Sequence, residues 1–198
     1  MTTDFRLNKT SKMNCFSFSL DARNCVTGSK LRKIKGSVCS KCYALKNRYT
    51  TKSVQKNREM NLIHFNDKHF VERMAFKIIN DRYFRWFDSG DLPNLEGLKK
   101  IVRIAELTPN TKHWLPTREI KIVKDYLKNN TFPKNLVVRV SAPMIDGQPP
   151  KGFQNTSTVH KDKDPIGFDC VSRFQNNQCL NCVACWDKRI KNISYKAH

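Results

Sequence analysis

The residues most able to do chemistry in this sequence are its eight cysteines, gathered toward the two ends of the chain. Near the start stand Cys15, Cys25, Cys39 and Cys42, the last two in the run CSKCYALKNRY. Near the end stand Cys170, Cys179, Cys182 and Cys185, the last three in CLNCVACW. Thiolates are soft ligands for zinc and for iron–sulfur clusters. Three of them at x2, x2 spacing can wrap one corner of a cuboidal cluster while a more distant fourth closes it. Zinc more often takes two separated pairs. The C-terminal group has the first pattern, although it ends Cys185–Trp186 where bacterial ferredoxins often end the run with Cys-Pro. A 4Fe-4S cluster is the reading, with zinc and structural thiols as alternatives. In the N-terminal group Cys15 lies on an expected strand, so its side chain is either a ligand or buried core.

Other residues have the right types for binding. Asp88, Ser89 and Asp91, in FDSGD, are short polar groups at an expected strand end. They can bind an amine or hydroxyls, or cap the helix that follows. Arg118 stands at a strand-to-helix turn, where an anion is favoured, or simply on the surface. Arg139 interrupts the β-branched run NLVVRVSA. If it faces inward it needs a carboxylate or a bound anion, and Asp88 or Glu119 is the expected partner. The histidines, His64, His69, His113, His160 and His198, form no H-x-x-H or H-E-x-x-H pattern. A structural or solvent role is expected for them. Trp186, beside Cys185, is placed to keep water from a cluster. The chain has no P-loop, no G-x-G-x-x-G and no G-x-S-x-G elbow.

The elements that must hold these groups alternate. CFSFSL has Phe16, Phe18 and Leu20 at period two, as a strand does. Residues 21–38 read as a long basic connection and 43–65 as a helix with a weak apolar stripe. Residues 67–80 show a clear helical face through Phe70, Met74 and Ile78. A strand in RYFRWF, a helix opened by Pro93, a strand in KHWLP, a helix capped by Thr117, the strand 135–142 and a short strand in TSTVHK complete the pattern. This is the order of right-handed βαβ units, with four or five strands. The expected fold is α/β: a partial parallel (βα) barrel or open sheet in one domain, 1–198, with a cysteine-rich tail, 169–198, packed on it. In such sheets sites gather at the C-terminal ends of the strands. That rim would hold Asp88 to Asp91, Arg118, Ser141 and the segment leading to Cys25.

Charge and hydropathy exclude some classes. No run approaches the ~18 apolar residues that cross a bilayer. The first residues lack the apolar core of a secretory signal, so the cytoplasm is expected, where tight C-x-x-C groups are metal ligands more often than disulfides. The net charge is +20, and between Asp21 and Glu59 eleven Lys and Arg occur with no acid. Such a field attracts polyanions, so the basic 23–58 segment is a candidate site for nucleic acid, or a solvated face. A host protein is another partner to consider.

Two resemblances follow from these residues. A strand and a cysteine loop ending C-x-x-C-Y-A resemble the start of radical S-adenosylmethionine proteins. The resemblance implies a cluster at the mouth of a partial barrel and S-adenosylmethionine as cofactor. The familiar loop has x3 then x2 spacing, whereas Cys25, Cys39 and Cys42 are spaced x13 then x2, and no glycine-rich acidic motif is evident. A fuller match covers nearly the whole chain. NCFSFSL, CSKCYALKNRY, RWFDSGDL, HWLPTRE, VHK and CLNCVACW, in that order, resemble the cysteine-rich bacteriophage gene product 88-like family. That resemblance implies a phage origin, host cytoplasm as the location, and iron–sulfur binding through one or two clusters; it implies no reaction. The functional expectation is a redox, electron-transfer or radical-SAM-like protein, with a metal-stabilised nucleic-acid-binding protein as the alternative.

Overall fold

The computed structural model describes residues 4–197; the first three residues of the segment read for a leader, and His198, lie outside the described residues. Eight strands form one sheet: β1 (Asn8–Lys9), β2 (Phe16–Phe18), β3 (Tyr83–Trp86), β4 (Lys112–Thr117), β5 (Leu136–Ile145), β6 (Thr156–His160), β7 (Phe168–Asp169) and β8 (Asn192–Lys196). Their order is β1-β2-β3-β4-β5-β6-β8-β7, so the sheet stays open, with β1 and β7 at its edges. Only β1 runs antiparallel to its neighbour; every other pairing is parallel. The sequence suggested four or five strands. The additional ones are the two-residue β1 and β7, too short for a period-two signal, and β8, which lies beyond the cysteines.

Five helices accompany the sheet: α1 (Val26–Leu31), α2 (Lys52–Asn66), α3 (Phe70–Ile78), α4 (Leu95–Leu107) and α5 (Ile120–Leu127). The even residues of β3, Phe84 and Trp86, join Phe18, Leu115, Val138 and Val140 in a core that α3 and α4 cover through Phe70, Met74, Leu98 and Ile101. Each of these large side chains contributes roughly 1.5–3 kcal/mol by leaving water. The odd residues of β3, Tyr83 and Arg85, point to the opposite face, as do Trp114 on β4 and Arg139 on β5. There the C-terminal tail packs through Ala184, Cys185 and Trp186.

Several local expectations change. Residues 43–51 are not helical throughout but make two short 3-10 turns, Tyr43–Leu45 and Asn47–Thr50, before α2 begins. The stripe of α2 reads weakly because Arg58, Asn61 and His64 share its buried face with Phe65. Asn61 Nδ2 donates to the Arg6 and Ser19 carbonyls at 3.1 and 3.0 Å. Asn94, not Asp88, Ser89 or Asp91, caps α4, accepting from Gly97 N at 2.8 Å. Thr117 does not cap α5; its hydroxyl donates to Asp91 at 2.6 Å and accepts from Glu119 N at 3.1 Å. Residues 21–38 are not a bare connection, since α1 forms within them.

Candidate metal centres

Cys25, Cys39 and Cys42 gather at the C-terminal rim of the sheet. Cys25 directly precedes α1, Cys39 sits in a 3-10 turn over Val38–Lys41, and Cys42 closes that turn. Gly28 lies against both sulfurs: a Cβ on it would stand 3.7 Å from Cys25 Sγ and 3.8 Å from Cys39 Sγ. Ser37 shapes the turn. Its hydroxyl donates to the Leu31 carbonyl at 2.5 Å and accepts from Ser40 N at 3.0 Å.

The rim residues picked out from the sequence hold this loop in place. Glu119 accepts from Thr27 N at 2.9 Å and from Thr27 Oγ1 at 2.7 Å, clasping the start of α1. The Tyr43 hydroxyl donates to the Asp88 carbonyl. The Asp88 carboxylate accepts from Ser17 Oγ at 3.3 Å and Tyr49 Oη at 3.4 Å. Ser89 Oγ donates to the Leu20 carbonyl at 2.9 Å, and Leu20 N donates back to Ser89 O at 3.1 Å. Asp91 accepts from Thr117 Oγ1, from Leu92 N at 2.8 Å and from Arg118 N at 2.9 Å. Burial pushes its carboxyl up to about 6 against those three bonds. Two backbone features turn the chain here. Phe87 takes φ +53°, rare for a bulky residue, and hands Asp88 to the rim. Gly90 takes φ +81°, and a Cβ on it would lie 2.8 Å from the Leu20 carbonyl. Of the five residues proposed to bind a ligand, Asp88 is thus occupied with the loop, Ser89 with Leu20 and Asp91 with the start of the turn after β4. Arg118 keeps an unpartnered, buried Nε, and its charge acts on Cys39.

Arg139 is elsewhere. It is fully buried, and its partners are neither Asp88 nor Glu119. Nε donates to the Cys185 carbonyl at 3.1 Å and Nη2 to those of Ala184 and Asp187 at 3.1 and 2.8 Å. Nη1 donates to the Ile190 carbonyl at 2.9 Å and reaches that of Thr156 at 3.5 Å. A guanidinium spreads five donors in one plane, so backbone carbonyls of a single loop can take the place of a carboxylate.

That loop carries the C-terminal cysteines. Cys170, Cys179, Cys182 and Cys185 line one small pocket of about 10 Å³, walled also by Phe168, Trp186 and Ile193. Backbone bonds fix its corners: Cys170 N donates to Ser194 O at 2.9 Å, Cys179 N to Lys12 O and Cys182 N to Cys179 O, both at 2.8 Å. Trp186 Nε1 donates to the Phe84 carbonyl at 2.9 Å, pinning the indole to β3, and its ring meets Trp114 at 5.6 Å. Cys15 belongs here and not with Cys25. It packs in the same cluster as Cys185, and Cys179 acts on it electrostatically, yet it does not line the pocket. The reason is topological: Cys15 precedes β2, at the opposite end of the strand from the rim.

All eight cysteines are free thiols. Burial raises Cys15 to about 11 and Cys25 and Cys185 to about 12, and lifts Cys39 and Cys179 as well. Without a cation such thiols stay protonated and are poor nucleophiles. A bound metal reverses this by deprotonating its ligands outright. Among the described residues, no three His, Cys, Asp or Glu side chains converge on a single metal-ion position. The four C-terminal thiols instead share the lining of one small pocket. Arg85 and Trp114, on the tail-covered face, were not singled out from the sequence as ligand-binding groups. Arg85 lies 4.8 Å over the Trp114 ring, and both Arg85 Nε and Trp114 Nε1 are buried donors without an acceptor. The odd parity of Arg85 in YFRW was the available signal. His113 is structural, as expected, bonded to Trp86 and Thr108, and His160 Nδ1 is 2.8 Å from Ser194 Oγ.

Fold and site together define a mixed α/β protein on an open, mostly parallel sheet, with one cysteine group on the rim and another in the tail. The family model for gene product 88 matches residues 2–191, and the chain belongs to this bacteriophage gene product family. No curated protein and no solved structure matches the chain. Among the described residues, no helix is long and apolar enough to cross a membrane.

Proposed function

We propose that this protein binds iron–sulfur clusters and acts in redox chemistry. The observation that carries the reading is the C-terminal pocket, whose lining brings four thiols together beside Trp186. Four thiolates complete the protein coordination of a 4Fe-4S cluster, which when bound supplies one-electron transfer. The apolar wall of Phe168, Trp186 and Ile193 limits water access, and the Arg139 cage fixes the carbonyl of Cys185. Unpartnered N–H donors at Arg85 and Trp114 offer bonds to sulfur on the same face.

The N-terminal group offers three thiols once Cys15 is assigned to the other face. A cluster there would keep one iron without a protein thiolate, open to a small ligand. The radical-SAM-like reading rests on this group alone, with Arg118 as the free donor beside it. Its test is anaerobic reduction with dithionite in the presence of S-adenosylmethionine; 5′-deoxyadenosine supports it, and no product with an unperturbed spectrum argues for a carrier or structural cluster.

The metal reading is tested by variants that separate the cysteines. Cys182→Ser should lower iron and acid-labile sulfide by about one cluster's worth, and stability with it, because ligation and folding are coupled. Cys15→Ser should leave both contents unchanged. Full occupancy in the Cys182 variant would remove the C-terminal pocket from the account.

A further inference from the structure

We infer that the outer surface of the N-terminal cysteine loop is a docking site for single-stranded nucleic acid. The inference rests on the arrangement of charge on this loop and not on the identity of any metal. The rim acids Asp88, Asp91 and Glu119 are turned inward, accepting from hydroxyls and backbone N–H groups, and Asp21 and Glu59 are paired with Arg23. The cations are turned outward. Lys30, Lys33, Lys41, Lys46 and Arg48 are all exposed. Among the described residues none of these five forms an ion pair. The field of this surface is therefore uncompensated, and it concentrates a polyanion.

One feature favours unpaired bases over an acidic peptide or a duplex. Tyr43, directly after Cys42, is half exposed amid these cations. Its ring is fixed from beneath, by its hydroxyl on the Asp88 carbonyl and by an edge-on contact with Tyr49 at 5.4 Å. A rigid exposed aromatic face among lysines is a stacking platform for a base, while the cations follow the phosphates. An acidic peptide has no π-face to use it, and a duplex keeps its bases stacked inside.

The test is fluorescence anisotropy on the intact protein with a mixed-sequence 20-nucleotide single strand, its duplex, and polyglutamate as competitor, with metal content measured throughout. The single strand should bind with an affinity that falls as salt rises, by roughly 0.7 in log K per log salt for each phosphate contact. Lys30→Glu combined with Lys41→Glu and Lys46→Glu should weaken binding more than tenfold. Tyr43→Ala should weaken it severalfold while Tyr43→Phe, which keeps the ring, should not. The surface lysine variants should leave metal content unchanged, so a failure of this inference and a failure of the iron–sulfur reading are read separately. Absent binding, equal affinity for the duplex, equal competition by polyglutamate, or indifference to the three charge reversals would each overturn the proposal.

Discussion

Arg139 Nε donates to the carbonyl of Cys185 at 3.1 Å, so a fully buried cation on β5 is tied directly to a cysteine of the tail. The remaining donors go to the same loop and to β6, and no carboxylate takes part. Burial pulls the guanidinium below its ordinary pKa, with Tyr195, Cys185 and Asp187 opposing that shift. Removing it would leave several carbonyls without donors. Arg139→Met should cost about 3–5 kcal/mol, since several buried carbonyls would each lose a donor at roughly 1–3 kcal/mol apiece. Arg139→Lys should recover only part, since an ammonium has three donors and no planar fork. Urea unfolding of both variants measures this. An Arg139→Met midpoint equal to that of the parent would show that the tail is held by other contacts.

Gly28 gives a prediction in which local and site effects have opposite signs. An alanine within a helix is ordinarily favoured over glycine by roughly 0.5–1 kcal/mol. Here the added Cβ would lie 2.9 Å from Cys25 Cβ and within 4 Å of two sulfurs. Gly28→Ala should therefore displace Cys25 and reduce iron by about one cluster, leaving the C-terminal site loaded. Iron and sulfide per chain decide it; unchanged content would mean that Cys25 and Cys39 do not share a ligand.

His113 makes the protein acid-sensitive. Trp86 Nε1 donates to Nδ1 at 3.3 Å, and Nε2 lies 2.8 Å from a Thr108 hydroxyl that itself donates to the Ile104 carbonyl at 2.7 Å. This arrangement holds the neutral, Nε2-protonated ring. Burial depresses its pKa to about 3, from an ordinary value near 6.5. Between those values the unfolded chain takes the proton and the folded chain does not. Stability is thus lost as pH falls, by about 1.4 kcal/mol per unit below 6.5. Denaturant titrations at pH 7 and pH 5 should differ in this sense, and His113→Gln should flatten the difference. Equal slopes in parent and variant would contradict it.

The sheet and the main helices were legible because their signals are local. Phe84 and Trp86 alternate with Arg85, and Phe70, Met74 and Ile78 recur at helical spacing. The weak stripe of α2 was legible only as weakness, since it buries Arg58, Asn61 and His64 beside a single large apolar residue, Phe65. The inward turn of Arg139 could be anticipated from a cation in a β-branched run. Its partners could not, because carbonyls of a loop some 45 residues away leave no mark in side-chain composition. Cys15 was grouped by sequence distance with Cys25, whereas the strand between them carries the two to opposite ends of β2. The rim acids show the same limit: their residue types fit a ligand or a cap, and only the structure reveals that they clasp Thr27, Tyr43 and Thr117.

The central claim, that thiols from two regions of the chain hold iron and sulfide, is tested most directly by elemental analysis with EPR on protein purified without oxygen. The account predicts about eight irons and eight labile sulfides per chain for two clusters, or about four of each if only the C-terminal pocket is filled, with a reduced-cluster signal after dithionite. Stoichiometric zinc in a colourless preparation, or no transition metal at all, would contradict it.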